Sequence, residues 1–270
     1  MVLPSPLWRS LVTAVVVAGM PYVLLDSVLD LLWGSACVHC GRPGRALCAA
    51  CSDALAPEPC EHWPTPTPPG LMRPIAAAAY EGLVRDVVLA TKERRQHQLV
   101  GVLAAYLAAA VAAHEVVGPT VLVPVPSRTV TIHERGLDTT AATTRRAAAL
   151  LRRTGRPVAY APLLTVRGGV ADQSGLTIDQ RAANLDRAYT CPAHRVRALS
   201  RRVSAARVLI CDDVITTGAT AREAQRALEA VGLSVRGLAA VAATQRRHPA
   251  THHAGLPQNP WLSPATGLTS

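Results

Sequence analysis

VLICDDVITTGAT, residues 208–220, decides how this chain is read. Four apolar residues run into Asp212 and Asp213, two more apolar residues follow, and Thr216-Thr217-Gly218-Ala219-Thr220 then opens an Ala-rich helical pattern. An apolar run feeding a helix is the strand–turn–helix order of an open α/β sheet, where ligands bind at the carboxyl ends of the strands. Successive backbone N–H groups and the hydroxyls of Thr216, Thr217 and Thr220 at a helix start make a natural phosphate cradle. Gly218 lets the backbone approach an anion with no Cβ in the way. Adjacent carboxylates would repel a bare phosphate. They suit the hydroxyls of a sugar, or a hydrated Mg²⁺ that takes a few carboxylates together with ligand oxygens. Phosphate at one end and a diol or metal at the other describes a ribose 5-phosphate derivative. The competing reading is structural: a buried strand, an acidic turn and a threonine N-cap.

Working outward, apolar runs alternate with helical patterns throughout residues 72–245. Residues 97–117 read as a long helix with Leu99, Val102, Leu103, Tyr106 and Leu107 on one face, stopped by Gly118-Pro119. TVLVPVP (120–126) suits a central strand that leaves the sheet at its prolines. A second helix covers 139–153, a buried strand 207–211, a third helix 220–231 and a further strand 234–242. This order predicts an α/β fold, a mainly parallel sheet with helices on both faces.

The rest of the chain divides by composition. Residues 1–34 form an apolar leader, read as a docking helix; the run 11–25 is shorter than the ~20 residues that span a bilayer and Pro21 interrupts it. Membrane contact through 1–34 is therefore the disfavoured reading. Residues 35–62 carry a cysteine cluster, 63–71 are a stiff proline-rich linker, and 246–270 lack any periodicity and read as a disordered tail. The formal charge of +10 points to anionic partners, carried almost wholly by Arg, with Lys92 the one lysine. There is no Phe, so the core must be built from Ala, Val and Leu.

Five of the seven cysteines fall between Cys37 and Cys60. Cys37-x2-Cys40 and Cys48-x2-Cys51 are two knuckles, each able to offer two thiolates to one ion, and four thiolates close a tetrahedral structural zinc site. Two disulfides, or reduced core cysteines, are the alternatives. The uneven spacing fits a reduced metal site better than a secreted disulfide framework, which predicts a cytoplasmic protein. Cys60 and His62 are left out of the site, and neither Cys191 nor Cys211 is given a role.

The segment 208–220 resembles the 5-phosphoribosyl 1-pyrophosphate (PRPP) motif of type I phosphoribosyltransferases. VPVPSRTVTIHERGLD (123–138) and LLTVRGGVADQSGLTIDQRAANLDRAY (163–189), with the cysteine knuckles, narrow the resemblance to the ComF family over about residues 24–243. The resemblance implies a phosphoribosyltransferase fold carrying a small four-Cys zinc ribbon. By it, Asp212 and Asp213 contact the ribose hydroxyls, and Thr216, Thr217, Gly218, Ala219 and Thr220 hold the 5-phosphate. Ser127, Arg128, Arg135 and Gly136 belong to the pyrophosphate loop, with Arg135 a bidentate clamp. Lys92 matches a family lysine, and Gln173, Leu176, Arg181 and Asn184 fall in a loop that closes over substrate in the wider class. Asp212, Asp213, Arg135 and Lys92 are the catalytic candidates. Implied cofactors are structural zinc, and Mg²⁺ bound with PRPP; the implied reaction transfers phosphoribosyl to an unidentified acceptor and releases pyrophosphate.

A second reading makes the domain a non-catalytic scaffold in DNA uptake and processing, with DNA-processing proteins or single-stranded DNA as partners, since the ComF family is associated with competence. Aromatic residues make up 3% of the chain, too few for base-stacking platforms, which leaves attraction to the phosphate backbone. A PRPP sensor that binds without turnover is the third.

Overall fold

The computed structural model of the chain describes residues 36–115, 117–127, 136–167, 187–203 and 206–244. The expectations for 1–34 and 246–270 lie outside these residues. Among the described residues no helix is long and apolar enough to cross a membrane.

In chain order the elements are α1 (Ala49–Asp53), β1 (Cys60–Glu61), β2 (Pro74–Ala76), α2 (Gly82–Glu93) and, after a short 3₁₀ turn at His97–Leu99, α3 (Val100–Ala112). Then follow β3 (Thr120–Pro124), α4 (Thr139–Arg153), β4 (Val158–Tyr160), β5 (Thr165–Val166), β6 (Tyr189–Thr190), α5 (Ala193–Ser200), β7 (Arg207–Ile215), α6 (Ala219–Glu229) and β8 (Val235–Ala243). Six strands form one sheet in the order β1-β2-β8-β7-β3-β4. Every pair in it is parallel except β1–β2 at the edge. β5 and β6 make a separate antiparallel ribbon. The fold is thus α/β with a mostly parallel sheet, as the alternation of apolar runs and helical patterns predicts.

Strand pleating explains why both faces need helices. In β7, Leu209 and Cys211 enter one core, shared with α3 and α4, while Val208 and Ile210 enter the other, shared with Ala221, Ala224, Ala227 and Leu228 of α6. A strand buried on both faces reads as an unbroken apolar run. α3 is buried all round rather than along one face: each residue from Leu103 to Val111 is buried. Its alanines let it sit close to the sheet and α4, so the apolar stripe expected from Leu and Val alone understates its burial. It also ends at Ala112, short of the predicted 117. There His114 turns inward, its ring lying where a Cβ on Gly237 would stand, with Nε2 2.9 Å from the Leu238 carbonyl.

The cysteine-bearing segment is joined to this core. Val38, Leu47 and Leu55 pack against the α2–α3 side, and the Glu58 N–H donates to the Ala77 carbonyl at 2.8 Å. Residues 63–71, expected as a spacer, lie against α6. The Arg222 Nε donates to the Pro69 carbonyl at 2.9 Å, and the Met72 N–H donates to Gln225 Oε1 at 3.2 Å.

Candidate functional site

β7 is central, between β3 and β8, and runs on past the apolar stretch to Ile215, so Asp212 and Asp213 stand inside its carboxyl end. Alternation from Leu209 and Cys211 puts Asp213 on the face covered by α2 and α4. Two helices deliver partners there. Lys92, in the last turn of α2, forms an ion pair with Asp213 Oδ2, and Thr140, in the first turn of α4, donates its hydroxyl to the same oxygen at 3.3 Å. The pair is well shielded, with side-chain exposures of 21% for Lys92 and 14% for Asp213. The Asp213 N–H donates to Asp212 Oδ1 at 2.8 Å. Burial pushes the Asp212 carboxyl up to about 8, the Asp213 charge adds to that, and Lys92 opposes it. One carboxylate is neutralised by a lysine; its neighbour, with no cation of its own, is held toward its protonated form.

The loop after β7 turns at once into α6. Thr216 and Thr217 are exposed, Gly218 is the N-cap in a left-handed conformation (φ +74°), and α6 begins at Ala219. The Thr217 hydroxyl accepts from the Ala219 N–H at 3.4 Å. No side chain caps α6 at Gly218 and its first turn carries no acid, so the helix dipole's positive end is left for an anion. Gly218 has a second reason to be glycine. A Cβ there would meet Pro64 Cγ at 2.9 Å and Leu71 Cδ2 at 3.0 Å. The 63–71 segment therefore fills the side of Gly218 that a Cβ would take.

Ser127, just past β3, is tied to α4: its hydroxyl donates to Asp138 Oδ1 at 3.1 Å, and the same oxygen accepts the Ala141 N–H at 3.0 Å as N-cap of that helix. Asp138 thereby fixes both ends of the loop between β3 and α4. Asp138 and Thr140 had no role in the reading of the sequence; an acid directly before the helical run 139–153 is an N-cap signal that finds the first. Nothing local marks the second. Arg128 and Arg135 lie outside the described residues, as do Gln173, Leu176, Arg181 and Asn184. Gly136 is described, with φ +74°.

The four cysteines form a compact second site. The sulfurs of Cys37, Cys40, Cys48 and Cys51 all lie within 4.8 Å of one another, with Cys40 and Cys48 3.6 Å apart. Tetrahedral thiolates about 2.3 Å from one ion stand about 3.8 Å from each other, so the cluster fits a single metal. Gly41, with φ +73°, closes the first knuckle, its N–H donating to the Cys37 carbonyl at 2.9 Å. Burial raises the Cys37 thiol, but the backbone N–H groups of Cys40, Cys48 and His39 outweigh it and hold it at about 6. Burial and its sulfur neighbours push Cys51 up to about 12. None of the seven cysteines is in a disulfide. Cys60 lies in β1, and the His62 ring contacts the Thr244 carbonyl, so both stay outside the cluster. No protein-family model matches the chain, and no curated protein matches it in sequence.

Proposed function

We propose that the chain is a ComF-like protein: a phosphoribosyltransferase domain that binds Mg²⁺–PRPP and transfers its phosphoribosyl group to an acceptor, beside a structural zinc site. The observation that carries this reading is the Asp212–Asp213 pair at the end of the central strand, continuous with an uncapped helix N-terminus at Thr216–Thr220. A sugar phosphate has both halves of that chemistry, hydroxyls for the acids and a phosphoryl group for the N–H groups. Asp213, held by Lys92 and Thr140, is an oriented acceptor for one ribose hydroxyl. Asp212, adjacent to it at the carboxyl end of β7, takes the other. Thr216, Thr217, Gly218, Ala219 and Thr220 receive the 5-phosphate, and Ser127, Arg128 and Arg135 border the pyrophosphate. Mg²⁺, when bound with the substrate, supplies charge neutralisation at the leaving pyrophosphate. Rate enhancement then comes from positioning and electrostatics, with no covalent nucleophile. Cys37, Cys40, Cys48 and Cys51 hold zinc with no coordination position left for water.

Calorimetric titration of PRPP with Mg²⁺ into wild type and into Asp212→Asn/Asp213→Asn tests this. Saturable binding that the double variant loses supports it, and pyrophosphate release then screens acceptors. No binding by folded, zinc-loaded wild type sinks it and leaves the domain as a scaffold.

A further inference from the structure

Helix α2 touches both sites. At its first turn Leu83 packs on the cluster formed by Cys37, Cys48 and Cys51. One turn on, Asp86 Oδ2 meets His39 Nδ1 at 2.8 Å, and His39 lies inside the first Cys-x2-Cys knuckle. At the other end of the same helix Lys92 pairs with Asp213. From Leu83 to Lys92 is about 13 Å of helix at the usual rise. A rod of that length, unbroken by Gly or Pro after Gly82, passes a displacement at one end to the other. Leu47 and Leu83 pack both on the cysteine cluster and on the main core, so the knuckles cannot shift without moving the start of α2. Lys92 is the chain's one lysine, so no neighbouring ammonium can replace it at Asp213.

We infer that the metal-loaded cysteine cluster positions Lys92 through α2, with Asp86, His39 and Leu83 as the coupling residues, and so sets the affinity of the Asp212–Asp213 site for its anionic sugar ligand. The inference rests on the PRPP-site reading for its ligand. By linkage, whatever holds Lys92 at Asp213 also holds the knuckles around their ion, and the coupling runs equally in both directions. Asp86 and His39 are positioning residues; neither touches the ligand.

The test uses the full chain loaded with zinc: wild type, Asp86→Ala, Lys92→Met and the double variant, each checked for one zinc per chain. The Kd for Mg²⁺–PRPP is expected to rise about two- to five-fold in Asp86→Ala, the span that loss of one exposed charged contact allows. In the Lys92→Met background the Asp86 change should add nothing further, because both act through one side chain. Asp86→Asn, which keeps an oxygen acceptor for the His39 ring, should regain most of the affinity. Unchanged affinity in Asp86→Ala, or losses that multiply in the double variant, overturns the inference. Zinc release to a chromophoric chelator gives the second readout: Lys92→Met should release the ion faster than wild type. If wild type binds no PRPP, the functional reading alone fails, and equal release rates in Lys92→Met and wild type would then sink the coupling.

Discussion

Gly218→Ala is the sharpest probe of the phosphate loop, because two separable effects meet at one methyl group. The first is conformational. At φ +74° an L side chain pays roughly 1 kcal/mol or more for the left-handed region. The second is steric. The new Cβ would stand 2.9 Å from Pro64 Cγ and 3.0 Å from Leu71 Cδ2, and a proline ring has few ways to yield. Overpacking of this kind costs about 1–3 kcal/mol. The sum is about 2–4 kcal/mol. Gly232, at the other end of the same helix, supplies the control: its φ is +80°, yet nothing lies within 4 Å of its added Cβ. Gly232→Ala should therefore lose only the conformational part, about 1 kcal/mol.

Urea unfolding of the zinc-loaded chain, with midpoints compared at a common m-value, reads both losses. Gly218→Ala is expected to fall below Gly232→Ala by about 1–3 kcal/mol. Adding Leu71→Ala should recover part of that deficit, giving a double variant less destabilised than the two single losses summed. Equal destabilisation of the two alanine variants would refute the packing of the 63–71 segment against the loop.

Three further outcomes follow from the same geometry. Asp212 binds its proton in the folded state up to about pH 8, against 3.8 ordinarily, so the folded chain holds a proton that the unfolded chain releases between those values. Relative to Asp212→Asn, wild-type stability should be highest below about pH 4 and fall steadily toward pH 8; parallel pH profiles from urea unfolding would remove the half-buried, repelled carboxyl from the account. Cys37→Ser should lose its metal by elemental analysis and lower the thermal midpoint, and a variant that keeps one zinc per chain and the wild-type midpoint would refute a four-thiolate site. Asp138→Ala removes the N-cap of α4 and the anchor of Ser127 together, for a loss of about 1–2 kcal/mol, with Asp138→Asn recovering most of it; an Asp138→Ala chain as stable as wild type would show that neither bond matters.

What was legible in the sequence is what is local. The run 208–220 announces strand, acids, loop and helix because consecutive residues carry the whole pattern, and α4 matches 139–153 at both ends, with Gly155 as its stop. The two knuckles are equally local, and the structure brings all four sulfurs together. Partners distant in sequence were not legible. Nothing near Lys92 says that it meets Asp213, 121 positions later, since α2 is amphipathic enough to be any surface helix. The all-round burial of α3 was hidden for a different reason: alanine carries almost no periodic signal, yet here it packs as tightly as leucine does elsewhere.

The proline-rich stretch joins these two kinds of information. Its composition reads as a spacer, and proline does stiffen a chain whether or not it touches anything. Stiffness also lowers the entropy lost on docking, so the same residues that make a good spacer make a good strap. Here β1 pairs with β2 at the edge of the sheet, which brings both ends of residues 62–73 to that edge. A segment of that length pinned at both ends must fold back on its neighbours, and α6 with Gly218 is the neighbour it meets. The glycine that the motif requires for its turn is therefore also required by a strap some 150 residues away in sequence. That is why a change at Leu71, outside every motif, should be felt at the phosphate loop.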